Sequence, residues 1–517
     1  MEQISRLLLI LQPSPATVTD VEAILQEFQA LTDSEKDVRR LTTAEAVFPL
    51  VFSDDASLRA DSTFPKRNNT VWSLNCQLSP GVIVVPRTSQ DVGKALALCQ
   101  ALGIKFSIRG GGHLQNPGFT SNDGGVVISM KNFNGVTVSE DRSTANIGAG
   151  LTWSQVYRDL DAHGLGVTGG RVPEGKYGLS CNGIVEYEAV LADSTIVKAN
   201  ATENKDLFWA LRGGGANFGI VTNFTMSTLP SEVWAEVRVF APSQEDELLD
   251  AMMRFHEANE KDPNASLIFN AVPGATLLVL VYAESVDERP AVFDAFENID
   301  AIAKMLPGNK YTIFQIMSAL ESSIATEPKK YTSPPSTLEG SHSGWLSDTL
   351  FLTSHDMRTM SSLPDLEVYR AANKCRYQQE ELIKHIPGLK ITFVIQPISS
   401  NAIKATNSGI GSPLGVSEQH QQWFLLMTEW SNHEDEAAVR DAARKIVDVA
   451  ETTAKKNGTF LTFKYSNYSS RDQDPHSSYG AENLERLRKV ASKVDPKGIF
   501  QSLQNGGWLV SQVGSKS

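Results

Sequence analysis

The sequence has little cysteine, little basic charge and no long apolar run, and each shortage closes off a class of function. Four cysteines, Cys76, Cys99, Cys181 and Cys375, are scattered over 517 residues. None forms a CxxC or a Cys/His ligand spacing, so a disulfide framework and a metal site are set aside and buried thiols are favoured. Cys99 stands in apolar register with Val92, Ala95 and Leu96, as a core residue would. Lys and Arg number 47 against 60 Asp and Glu, a formal net charge of −13. That balance argues against a nucleic-acid partner, because phosphate binding needs a basic footprint. No apolar stretch approaches the ~20 residues of a membrane span, so no membrane partner is expected. Leu7–Leu11 is short, follows Glu2 and precedes Pro13 and Pro15. Without a small-residue cleavage site behind it, the start is read as intracellular in preference to exported.

What is present is ordinary globular material: 41% hydrophobic and 21% charged residues, enough for two large domains or three smaller ones around cores that need no staples. Residues 1–50 read as mixed helix. Val82–Val85 reads as a buried strand stopped by Pro86, followed by a helix from N-cap Thr88 to Gly103 and a second strand over Lys105–Ile108. Short strands follow at Val126–Ser129, Val136–Val138 and Thr144–Gly148, and Thr152 with Gln155 forms a capping box for a helix to about Ala162. Further strands are expected at Glu188–Ala192 and Gly219–Phe224. Beyond residue 230 the composition changes. Long helices are expected at Glu245–Ala258, Glu288–Met305 and Pro364–Ile386, between strands at Thr276–Val281, Ile391–Ile395 and Trp423–Met427, which suggests a sheet with helices on one face. Lys329–Gly344 reads as a loop, and Asn483–Val494 as a helix stopped by Asp495-Pro496.

The strongest local signal is a strand running into Arg109-Gly110-Gly111-Gly112-His113. Successive glycines permit positive φ and can turn several N–H groups toward one anion, which suits a phosphate-bearing cofactor; a plain tight turn is the equal alternative. His113 ends that turn, where its imidazole would face the same space.

Ser107–His113, followed by Asp123–Ile128, resembles the FAD-linked oxidases of the vanillyl-alcohol-oxidase type, and most of all the berberine-bridge-enzyme-like fungal oxidoreductases of secondary metabolism. The likeness extends through Pro86 with Asp91-Val92, Val190–Asp193, Asn204–Gly214 and Phe218–Thr222, and returns in Tyr465–Tyr468 and Asp495–Phe500. It implies an α+β, two-domain FAD-linked oxidase: a PCMH-type FAD-binding domain and a substrate domain whose antiparallel sheet is backed by helices. The implied division is a helical lead-in over 1–74, the FAD domain over 75–230, the substrate domain over 231–459, and a return to the FAD domain over 460–517.

The resemblance makes His113 the candidate covalent 8α-histidyl attachment. Arg109, Gly110, Gly111, Gly112, Leu114, Gly170, Gly219, Ile220, Val221 and Asn467 become candidate cofactor contacts. A second, cysteinyl link is not expected, because Val172 stands at the matching position. Tyr465 is the candidate base, with aromatic packing as its alternative role, and Gln396 a candidate substrate contact. The implied partners are O₂, as the acceptor that yields H₂O₂, and a hydrophobic small molecule of polyketide or alkaloid type. Phe393, Trp423, Phe424 and Trp430 are candidates for its pocket.

One departure stands out. After Val172 the family continues through a long Gly-rich loop over the pyrophosphate, whereas this chain runs Pro173-Glu174-Gly175-Lys176 straight to Tyr177. Helix N-termini and glycine N–H groups neutralise a pyrophosphate, so their loss should weaken dinucleotide binding. The shortening is compatible with a flavin held by the remaining contacts, with a missing piece of coding sequence, or with a flavin-free cyclase or binding protein on the same scaffold. A sugar oxidase is a further alternative.

Overall fold

The computed structural model describes residues 2–169, 174–324 and 353–514. Its strands form three sheets. In the first, Val82–Val84 and Phe106–Arg109 flank Val126–Ser129 in parallel, with Ala56–Leu58 antiparallel at one edge. Parallel neighbours need a crossover, and helix Ser89–Leu102 supplies one. Thr88 Oγ1 accepts from Asp91 N at 3.2 Å to start this helix, and Gly103 ends it at a φ of +61°. Val92, Ala95, Leu96 and Cys99 are fully buried, as their spacing predicts. They share a core with Leu7, Leu11, Val21, Leu25 and Phe48 of the first three helices, Glu2–Leu11, Val18–Ala30 and Asp33–Phe52.

The second sheet is antiparallel. At its centre Ile220–Pro230 pairs with Thr144–Gly148 on one side and Ile184–Val190 on the other. The third sheet is antiparallel and eight-stranded, with Lys390–Ile398 and Gln421–Trp430 near its middle. Helices Glu245–Lys261, Leu366–Ile383 and Glu436–Asn457 cover one face. Because side chains alternate across a strand, Phe393, Ile395, Phe424 and Leu426 pack under those helices. Val394, Gln396, Trp423 and Leu425 emerge on the other face. The architecture is α+β.

Three sequence expectations need comment. Glu288–Met305 is not a helix: one 3₁₀ stretch, Ala291–Phe296, is followed by the edge strand Ala303–Thr312. The buried Arg238 donates to the carbonyls of Phe296 and Ile299, which a continuing helix would need for itself. The strand beyond pairs with Glu232–Phe240, whose outer edge would otherwise stand open. Cys76, Cys99 and Cys375 are buried free thiols and Cys181 a partly buried one, as expected. The expected loop Lys329–Gly344 lies outside the described residues.

The helical layer contains a buried histidine with a consequence for acid stability. His256 Nε2 lies 2.8 Å from Tyr369 Oη. Burial, helped by His420, pushes its pKa down to about 3. Unfolded, the group titrates near its ordinary value of about 6.5, so between those values the unfolded chain holds the extra proton. The stability concerned is complete above about pH 6.5 and is lost as pH falls toward 3, at up to ~1.4 kcal/mol per pH unit. His256→Gln should narrow the difference between urea midpoints taken at about pH 7 and about pH 5. An unchanged difference would place the acid sensitivity elsewhere.

Candidate functional site

The strand Phe106–Arg109 delivers the glycine turn between two neighbouring backbones. A Cβ on Gly110 would stand 2.9 Å from Ala149 O, and one on Gly112, at φ +70°, 2.1 Å from Thr70 O. Glycine is therefore required by close approach and by left-handed backbone. Trp72 N donates to Gly112 O at 2.9 Å, fixing the turn against residues 70–72. His113 is exposed, and its ring stacks on Trp72 with centroids 4.6 Å apart and planes 20° from parallel.

Beyond His113 the chain is tied down again. Cys76 Sγ donates to Leu114 O at 3.4 Å, and burial raises its pKa to about 12, so it remains a thiol and keeps that bond. Gln115 Nε2 and Asn116 Nδ2 both donate to Ser469 O at 3.1 Å. That carbonyl belongs to the segment carrying Tyr465, Asn467 and Tyr468. Tyr465 stacks on Trp423 at 4.9 Å and meets Tyr468 edge-on at 4.8 Å. Asn467 Nδ2 donates to Tyr465 Oη at 3.0 Å. Tyr468 Oη donates to Gln396 Oε1 at 3.3 Å, and Gln396 lies directly across the ladder from Trp423. Gln396, Tyr465 and Asn467 are thus brought together, and one carbonyl joins them to the His113 turn.

The segment is held by ion pairs beneath it. Arg358 Nη2 donates to both oxygens of Asp472 at 2.5 and 2.6 Å, Arg440 to Asp472 at 3.1 Å, and Ser470 Oγ to Asp356 at 2.9 Å. Burial opposes ionisation of Asp472, but hydrogen bonds and charge from Arg358, Ser470 and Arg440 outweigh it and hold the carboxyl well below the usual range.

Other predicted residues sit differently. Arg109 is 1% exposed. Its guanidinium donates to Thr120 O at 2.9 Å, Arg67 O at 2.9 Å and Thr70 Oγ1 at 3.0 Å, so it braces the turn from behind. Burial brings its pKa down to about 10, which leaves it cationic at neutrality. Ile220 is core, paired with Val190, and Val221 pairs with Ala189. Gly219 packs against Val190 O. These three back the turn through Ala149, whose N–H donates to Thr222 O at 3.1 Å. Phe393, Phe424 and Trp430 belong to clusters on the helical side of the sheet and line no pocket on the Gln396 face; of the aromatic residues expected there, Trp423 is the one on that face. Gly170 and Val172 lie outside the described residues. Trp72 and His355 were not foreseen: they are far apart in sequence and belong to no periodic pattern.

Residues 80–200 match an FAD binding domain, and residues 464–505 match a model described as berberine and berberine like. An FAD-dependent monooxygenase of Arthrobotrys oligospora is 31% identical over 467 residues, covering 87% of this chain and 86% of that protein. The chain belongs to the berberine-bridge-enzyme-like FAD-linked oxidoreductases. Another relative, the bifunctional solanapyrone synthase of Alternaria solani, is 27% identical over 454 residues, covering 84% of this chain and 82% of its own. Glucooligosaccharide oxidase of Acremonium strictum, whose structure is described as holding a 6-S-cysteinyl, 8α-N1-histidyl FAD, shares the fold with a TM-score of 0.68 at 16% identity. That match covers 89% of this chain and 97% of that one.

As a member of this family the protein is an FAD-linked oxidoreductase, and the residues around the turn suit its cofactor. Among the described residues, the N–H groups of Gly111, Gly112 and Leu114 find no backbone acceptor. Asn116 Oδ1, Thr120 Oγ1 and Ser121 Oγ are buried without a partner. Orphaned buried polar atoms cost about 1–3 kcal/mol each, so a polar group is wanted beside this turn.

Proposed function

We propose that this oxidoreductase is an oxidase of a hydrophobic natural-product intermediate, with FAD attached through His113. The observation that carries the reading is an exposed imidazole at the end of a glycine turn that is itself tied to the Tyr465–Tyr468 segment. When bound, FAD supplies a hydride acceptor at N5, and O₂ takes the electrons on as H₂O₂. Gly110, Gly111, Gly112 and Leu114 would hold the cofactor's phosphates, through the N–H groups of Gly111, Gly112 and Leu114 that have no backbone acceptor, with Arg109, Gly219, Ile220 and Val221 supporting the turn. Tyr465 takes the substrate proton: its oxygen, held by Asn467 Nδ2 at 3.0 Å, stands beside Gln396 and Trp423 on the substrate face, where a positioned phenol can act as general base. Gln396, steadied by Tyr468, offers the substrate an amide on the face it shares with Trp423, Val394, Leu425 and Met357, and with Thr359 and Ser361. The apolar cluster of Met357, Val394, Leu425 and Tyr468 on that face supports a hydrophobic substrate.

The test is the colour of the pure full-length protein prepared with FAD. Precipitation in acid should leave the yellow in the pellet. Folded but colourless protein that still converts substrate would favour the cyclising alternative and overturn the redox reading. A second reading, oxygen insertion, rests on the monooxygenase name of the Arthrobotrys oligospora relative; isotopic oxygen in the product instead of H₂O₂ would select it. Tyr465→Phe should leave flavin absorbance intact and slow single-turnover flavin reduction by about 10²–10⁴-fold, with hydroxylated polyketides as probes. An unchanged rate across pH would remove Tyr465 as the base.

A further inference from the structure

We propose that Trp72 and His355 are positioning residues that fix the ring plane of His113. The inference rests on the reading that His113 holds the flavin. The three rings form one stack: His113 on Trp72 at 4.6 Å and 20°, and Trp72 on His355 at 3.9 Å and 25°. An exposed histidine on a glycine turn has a broad χ2. The lone pair of an imidazole nitrogen lies in the ring plane, so rotation sweeps it off any fixed target. Stacking on an anchored indole restricts that rotation.

The anchoring runs deep into the molecule. His355 is 4% exposed and Ser73 fully buried. Ser73 Oγ donates to Asn75 Oδ1 at 2.5 Å, which uses its only hydrogen. It can then only accept from His355, whose backbone N lies 2.8 Å away and whose Nδ1 lies 3.1 Å away. His355 Nδ1 therefore carries a proton, and the tautomer is set. Its Nε2 faces Thr353 Oγ1 at 3.3 Å and Glu429 at 3.8 Å, while Asn75 Nδ2 donates to His355 O at 3.0 Å. The lower ring of the stack is held at both nitrogens and at its backbone. Trp72 also packs into the cluster of Met357, Val394, Leu425 and Tyr468, so the same indole that supports His113 touches the face bearing Gln396.

The experiment compares the unaltered chain with Trp72→Leu, which keeps apolar bulk but no stacking face, and Trp72→Phe, which restores a face. Two readouts are taken: the fraction of flavin surviving acid precipitation after preparation with FAD, and the ring-proton NMR signals of His113 in the flavin-free full chain. Trp72→Leu is expected to lower the acid-stable fraction about tenfold or more, since small misplacements of reacting atoms cost that much, and to move the His113 signals downfield. Trp72→Phe should recover most of both. An acid-stable fraction in Trp72→Leu equal to that of the unaltered chain overturns the proposal while leaving the His113 attachment standing. If the unaltered chain carries no acid-stable flavin, the attachment itself fails, and the NMR signals decide the positioning role: unmoved in Trp72→Leu, they overturn it. Should Trp72→Leu not fold, Ser73→Ala frees His355 and is expected to move both readouts in the same direction by less; no movement would overturn the proposal.

Discussion

His113→Ala is expected to leave a folded protein whose acid precipitate is white, with any flavin released into the supernatant. His113 is exposed, so removing its ring should cost little more than its stack on Trp72, about 0.5–1.5 kcal/mol. The glycine turn keeps its own supports, because Gly112 O still accepts from Trp72 N and Leu114 O still accepts from Cys76. Non-covalent FAD should therefore persist at reduced occupancy, giving a yellow solution and a colourless pellet. His355, which stacks on the same indole, is 4% exposed and has its Nδ1 committed to Ser73, so it offers no replacement. A pellet as yellow as that of the unaltered protein would mean that the attachment point is elsewhere.

The parts of this site that were readable beforehand are those written in consecutive residues. Thr88, Gly103 and the apolar spacing between them specify a crossover helix, the crossover forces two strands parallel, and the second strand ends at Arg109 with three glycines behind it. Close approach at Gly110 and left-handed backbone at Gly112 demand glycine at two of those positions, so the turn leaves a mark in the sequence. The role of Arg109 does not, because an arginine facing a cofactor and one facing three protein oxygens are written alike. Only its burial separates them. Trp72 and His355 lie on different elements and meet through Ser73 and Asn75, a relation that no periodicity carries. The misread helix over Glu288–Met305 has the same origin. Its local pattern is compatible with a helix, but a guanidinium from another strand and an open sheet edge decide its conformation.

Glu245→Leu is expected to be the most destabilising of these substitutions, at about 3–5 kcal/mol, because it strands a buried cation. Glu245 is 2% exposed and accepts from Arg376 at 3.0 Å, Asn373 at 2.7 Å, Thr276 at 2.9 Å and Tyr377 at 2.9 Å. Without it, Arg376, itself 1% exposed, retains Asn373 Oδ1 at 2.9 Å and Glu380 at 3.6 Å. The double variant Glu245→Leu/Arg376→Met should recover most of the loss, since a well-packed apolar pair replaces a buried ion pair at little cost. Urea unfolding of the two single variants and the double variant measures the coupling directly; a double variant no more stable than Glu245→Leu would mean that the hydroxyl and amide donors, not the arginine, dominate. Thr276 faces the helices on the opposite side of the sheet from Gln396, so acid-stable flavin per folded molecule should be unchanged in all three. Stability would then be set in the helical layer and flavin attachment on the other face, with the strands between as a rigid partition.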